Sequence, residues 1–111
     1  MRLLLNIDVP DLAAAEAFYA AAFGLRPARR LGDGILELLG AEVPIYLLTK
    51  DPGSRTAGST RDYARHWTPV HLDFVVDEIE GAVDRARNAG ARLEGQIRTN
   101  NWGRIAMLAD P

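Results

Sequence analysis

The sequence contains no cysteine, which excludes a disulfide framework, a thiolate nucleophile and any thiolate metal site. A bound metal would have to be held by His, Asp, Glu or Tyr. Positive charge is not in surplus either: 13 Lys and Arg stand against 15 Asp and Glu, a formal net charge of −2. Such a chain has no broad electropositive surface for a phosphate backbone, so nucleic acid is not expected as a partner. Long apolar runs are absent too. The early run Leu3 to Leu5 falls far short of the roughly 18 residues that cross a bilayer, and Asp8 and Asp11 interrupt any signal-peptide pattern. The expectation is a cytoplasmic protein with no membrane partner.

What is present is the composition of an ordinary globular chain, 48% hydrophobic and 25% charged over 111 residues, enough for one domain with its own core. Residues Leu3, Leu5, Ile7 and Val9 alternate with Leu4, Asn6 and Asp8, the period-2 pattern of a half-buried strand. Pro10 ends that strand and Asp11 stands where a helix N-cap belongs. Leu12, Ala15, Phe18, Tyr19, Ala22 and Phe23 then recur at helical spacing up to Gly24.

The same grammar returns downstream. Val70, Leu72, Phe74 and Val76 alternate with His71, Asp73 and Val75, and Asp77 with Glu80 three residues on forms a capping-box pattern. Ile79, Ala82, Val83, Ala86 and Ala89 make an apolar stripe that stops at Gly90. Val9 and Val76, like Leu12 and Ile79, are 67 positions apart. A single duplication at this spacing predicts a pseudo-twofold domain of two supersecondary units.

Each strand–helix unit needs further strands to cover its helix. In the first half these are predicted around 28–31, 35–39 and 44–49, with Gly32-Asp33-Gly34 as the turn between the first two. In the second half they are predicted at 92–98 and 104–109, joined through Asn100-Asn101 with Trp102-Gly103 behind. Residues 50–68 are rich in Gly, Ser, Arg and Asp and form a linking loop, with a short helix around 61–66 as an option. The reading is therefore one α+β domain, 1–111, of two βαβββ modules curved around a cavity. Module one spans about 1–50, the linking loop 51–68 and module two 69–111. The second half is one strand short of the first, so the chain is expected to lack the last strand of the fold.

This organisation resembles the vicinal oxygen chelate superfamily, which includes glyoxalase I, extradiol dioxygenases, fosfomycin-resistance enzymes and bleomycin-resistance proteins. The carriers are Leu5 to Gly24, with Val9-Pro10-Asp11-Leu12 and Phe18-Tyr19 ahead of Phe23-Gly24-Leu25. His71 to Asp77, Asn88-Ala89-Gly90-Ala91 and Ala109-Asp110-Pro111 complete the set. The resemblance implies a concave sheet that binds a small molecule, and a homodimer. Metal-dependent members hold a divalent ion through His, Glu, His and Glu on four strands. Carried over by register, the first histidine's place is taken by Leu4, the first glutamate's by Tyr46 and the second histidine's by His71. The last glutamate's place lies past Pro111. One ligand of the four is present, where a firmly held first-row metal needs three or four.

The resemblance therefore implies a metal-independent small-molecule-binding protein of the glyoxalase/bleomycin-resistance type, with no cofactor. One alternative is a metal-dependent lyase, isomerase or dioxygenase in which His71 is ligand or base. Another is a non-catalytic interaction module with a filled cavity. His71 and Asp73, two apart on one strand, share a face and are candidates for acid–base work; with His66 they also spell a possible facial triad. Leu4, Asn6, Asp8, Tyr46 and Leu48 are candidates for the ligand-facing wall. His66, Trp67 and Trp102, with Tyr63, sit in loops that rim the cavity or meet a partner subunit. The arginines at 29, 30, 61, 65, 98 and 104 are scattered and are expected to be solvated charges.

Overall fold

A computed structural model describes residues 1–111. Strand β1 (Leu5–Val9) leads into helix α1 (Leu12–Phe23), followed by β2 (Arg26–Leu31), β3 (Ile35–Leu39) and β4 (Ile45–Thr49). A small hairpin, β5 (Arg55–Thr56) and β6 (Ser59–Thr60), precedes α2 (Ile79–Asn88), β7 (Arg92–Asn100) and β8 (Gly103–Ala109). The first four strands form one sheet in the order β1-β4-β3-β2, and β7 and β8 form a separate two-stranded sheet. No helix is long and apolar enough to cross a membrane.

Helix α1 begins and ends as its residues dictate. The Asp11 carboxylate accepts a hydrogen bond from the Ala14 amide at 2.9 Å, and Gly24 closes the last turn at φ 67°, a left-handed geometry that glycine adopts without strain. On the sheet, Leu36, Leu38, Ile45 and Leu47 point to one side and pack with Val9, Phe18, Tyr19, Ala22 and Leu25. Ala86 of α2 joins this core, and the two helices pack on each other. Pairing places Asn6 and Glu37 on either side of Tyr46, and Asp8 and Ile35 on either side of Leu48. By strand alternation these six side chains lie on the opposite, helix-distal face.

Four expectations need correction. The second helix is capped by Glu78, not Asp77. The longer Glu78 side chain curls back to accept from the Glu80 and Gly81 amides, so it satisfies two open donors of the first turn. At the other end Ala89, not Gly90, is the cap, with Gly90 following at φ 116°. Residues 61–66 form no helix; the linking loop instead folds as the β5–β6 hairpin around Ala57-Gly58. The last correction concerns Val70 to Val76, predicted as a strand, which carries no ladder hydrogen bonds. Alternation marks a face that is buried, but a strand also needs a neighbouring edge. In the first sheet β1 hydrogen-bonds to β4 alone, in parallel; β8 pairs only with β7, and no second-half strand lies beside Val70–Val76.

Candidate functional site

The helix-distal face of the first sheet is built from a charged residue inside an apolar strand. Glu37 sits between Leu36 and Leu38 on β3, and its neighbours' side chains fill the core while its own points away from it. It is nevertheless buried, as is Tyr46 beside it on β4. The Tyr46 hydroxyl donates to Glu37 Oε1 at 2.6 Å. Arg29, across the sheet on β2, grips both carboxylate oxygens, Nε to Oε2 at 2.9 Å and Nη2 to Oε1 at 2.8 Å, and its Nη2 also donates to the Tyr46 hydroxyl at 2.7 Å. These donors, Arg29 first and Tyr46 second, pull the Glu37 carboxyl down to about 2. The group is an anion at any physiological pH, neutralised by a guanidinium.

Further along this face Asp8 of β1 meets the linking loop. Arg61 Nε donates to Asp8 Oδ2 at 2.7 Å, while its Nη1 reaches Ser54 Oγ at 3.2 Å and the Arg55 carbonyl at 3.0 Å. One arginine thus ties the hairpin to the sheet. Tyr63 anchors the loop's far end through its hydroxyl, which donates to the Lys50 carbonyl at 2.9 Å. Asn6 and Asp8 open onto a broad trough of about 2310 Å³ whose other walls include His66, Trp67, His71, Asp73 and Trp102. That is wider than the roughly 300–1,000 Å³ of an enclosed ligand pocket.

The structure divides the predicted site residues into two groups. Asn6, Asp8, His66, Trp67, His71, Asp73 and Trp102 all border the trough. Leu4, Tyr46 and Leu48 do not: Leu4 precedes β1 and is exposed, and Tyr46 is committed to Glu37 and Arg29. His71 Nδ1 and Asp73 Oδ1 lie 3.3 Å apart, but both side chains are mostly in solvent, 70% and 72% exposed. The ring of His66 turns to its own loop, Nδ1 2.7 Å from the Ala64 carbonyl, and no three His, Asp or Glu side chains converge as a metal site. The facial-triad option therefore has no geometric basis. Nor do the residues fit the four-ligand metal of the metal-dependent relatives, since Leu4 has no donor atom and the Tyr46 oxygen is already engaged.

Among the arginines expected to be solvated, Arg61 is the exception, largely covered beside Asp8. Arg29, Arg30, Arg65 and Arg104 stay largely in solvent while pairing with Glu37, Glu16, Glu94 and Glu80. The hydrogen bonds from Arg65 and Arg104 hold Glu94 and Glu80 near 2. Glu37 and Arg29 form an ion pair on the helix-distal face that pattern-reading passed over. The signal for Glu37 was there, a lone carboxylate in the otherwise apolar Ile35–Leu39. Arg29 was within reach of the same reading, because the Gly32-Asp33-Gly34 turn folds β2 back on β3 and brings Arg29 to Glu37, eight positions on.

Two modules of like order, with their helices packed together and a polar face turned from the core, define a small α+β domain of pseudo-twofold design. A family model described as a glyoxalase-like domain matches residues 5–111; the chain belongs to this family, within the vicinal oxygen chelate superfamily. Among solved structures, the chain is similar to a glyoxalase/bleomycin resistance protein/dioxygenase family enzyme from Burkholderia phytofirmans PsJN. That pair shares 20% identity at a TM-score of 0.73, covering 97% of this chain and 88% of that one. It is also similar to lactoylglutathione lyase from Agrobacterium tumefaciens, at 22% identity, TM-score 0.62, and 100% and 86% coverage. TioX from Micromonospora sp. ML1 matches at 17% identity, TM-score 0.65, and 99% and 89% coverage. At these identities the likeness is one of fold. No curated protein matches the chain.

Proposed function

We propose that this chain binds a small organic molecule in the trough between the edge of β1, the linking loop, residues 70–77 and β8, and that it does so without a metal. The observation that carries the reading is the polarity of the β1 edge that borders it. Asn6 and Asp8 turn hydrogen-bonding groups to the trough, and Asp8 pairs with Arg61 at 2.7 Å in a geometry that a packed apolar layer would penalise. Trp67 and Trp102, both exposed on the trough's rim, offer flat surfaces on which a ligand can stack at small entropic cost. The metal-free part rests on Leu4 and Tyr46, which occupy the places of a histidine and a glutamate. The His71–Asp73 pair stands mostly in solvent, 70% and 72% exposed, where water competes with a substrate for both side chains, so binding is favoured over catalysis.

The test is a thermal-shift screen of metabolites and natural products against the wild type, Asn6→Ala and His71→Gln. Both positions are exposed, so each substitution should change stability by no more than about 0.5 kcal/mol. A compound that raises the wild-type melting temperature and loses its effect in Asn6→Ala supports the reading. A stoichiometric divalent ion that survives dialysis and is lost in His71→Ala would overturn the metal-free part. Failure of every compound, with Asn6→Ala strongly destabilised, would mean that the face is a packed structural layer.

A further inference from the structure

We propose that residues 61–65 are a releasable brace across the trough, anchored to the first module through Arg61 and latched to the second through Arg65 alone, so that breaking the Arg65–Glu94 pair opens the trough. This holds whether or not a ligand occupies it. The modules are joined firmly on the helix side, where α1 packs on α2, Phe74 stacks on Phe23 with ring centroids 3.9 Å apart, and the Tyr19 hydroxyl donates to Asp110 at 2.7 Å. Their sheets share no ladder. On the sheet side the linking loop spans the opening. Arg61 reaches Asp8 of β1 at 2.7 Å. Four positions on, Arg65 grips Glu94 of β7 with a two-pronged fork, Nε to Oε1 at 2.8 Å and Nη2 to Oε2 at 2.9 Å.

The two ends of the brace are unlike. Arg61 also donates to Ser54 Oγ and the Arg55 carbonyl, its backbone pairs with Gly53 and Ser54, and its side chain is only 16% exposed. Tyr63 adds its bond to the Lys50 carbonyl. Arg65, by contrast, is 51% exposed, and its grip on Glu94 is the one hydrogen-bonded link from residues 64–73 to a distant part of the chain. Every other hydrogen bond of that stretch spans one or two positions. A charge-assisted fork is directional enough to hold a loop, yet half in solvent it is screened by salt and competes with water. Glu94 also has a second partner in place, because Arg92 Nη2, two positions away on β7, stands 3.4 Å from Oε1. When Arg65 lets go, Arg92 still neutralises the carboxylate, so the open state leaves no bare charge behind. The brace therefore has two discrete arrangements. Release frees residues 64–73 between the anchors Tyr63 and Phe74, and with them His66, Trp67, His71 and Asp73, which form one wall of the trough.

The chain has no cysteine, so spin labels on Thr68→Cys and Gln96→Cys report the distance between the braced stretch and β7. Electron–electron resonance distances are measured in this labelled parent, and with Glu94→Gln or Arg92→Gln added, across sodium chloride from about 0.05 to about 1 M. The parent at low salt is expected to give one narrow distance. Glu94→Gln should broaden it and lengthen it by about 5 Å or more, inside the roughly 17 Å that five extended residues from Tyr63 to Thr68 can reach. High salt should do the same to the parent. Arg92→Gln should act in the opposite sense, raising the salt needed for opening about twofold, because Arg92 gains its partner only in the open state. A purely structural role for the cluster would loosen the loop whichever residue is removed. Glu94 is partly covered, so Arg65→Gln, on the exposed loop, removes the same pair should Glu94→Gln fail to fold. A narrow distance that survives both Arg65→Gln and high salt overturns the proposal, as does a broad distance in the parent at low salt. So does an opening that Arg92→Gln promotes or leaves unchanged.

Discussion

Replacing Tyr19 with Phe removes one oxygen and leaves the ring where it packs, edge-on to Phe18 at 5.0 Å and tilted against Phe23 at 6.2 Å. What is lost is the 2.7 Å hydrogen bond from the phenol to Asp110, a contact that joins α1 to the end of β8 across 91 positions of sequence. Burial, then the charge of Asp110, pushes the Tyr19 hydroxyl well above the usual phenol range, so it is a neutral donor at every accessible pH. Hydrogen bonds to charged acceptors contribute about 1.5–3 kcal/mol. Asp110 is exposed and regains water when the hydroxyl is removed, which places the expected loss at the lower end, about 1–2 kcal/mol. For a domain of this size each kcal/mol corresponds to roughly 4–8 °C, so melting should fall by about 5–10 °C, read by circular dichroism. A double-mutant cycle with Asp110→Asn assigns the loss to the pair. A shift under about 1 °C, or full additivity of the two substitutions, would refute the reasoning.

Acid should destabilise the fold in a defined window. Glu37, Glu80 and Glu94 titrate near 2 when folded, against about 4.3 in the unfolded chain. The unfolded state then binds more protons as pH falls, so their stabilisation is complete above about pH 4.5 and is lost between there and about 2. Urea midpoints at pH 7, 5 and 3.5 check this: the first two should be close and the third lower, with less of the drop in Glu37→Gln. A midpoint that does not change down to pH 3 would contradict the ion-pair assignments. In the β5–β6 hairpin Ala57 holds φ 45° beside Gly58 at 79°, a turn that asks for left-handed residues at both positions. Ala57→Asn should relieve strain by about 0.5–1 kcal/mol, seen as slower exchange of the Gly53 and Arg61 amides that close the hairpin; faster exchange would show that Ala57 is not strained.

Local chemistry alone determined much of this protein. A period-2 run marked β1 because alternation survives in a half-buried strand, turn residues and the need to cover each helix placed β3, β4 and β8, and Asp11 and Gly24 bounded α1 because capping is a matter of a few neighbouring amides. The repeat of 67 positions disclosed the two-module plan, since both copies must solve the same packing problem. Tertiary structure decided the rest. Whether Val70–Val76 becomes a strand depends on an adjacent edge, which no pattern within the segment can supply. Which cap α2 uses turned on the reach of Glu78 over its first turn. The candidate site was legible only in part: strand register in β1 turned Asn6 and Asp8 to one side, whereas His71 and Asp73 border the same trough from a segment that forms no strand. Arg61 reached Asp8 because the path of a loop carried it across 53 positions of sequence. Such a pair is selected by distance in space, and that distance exists only once the chain has folded.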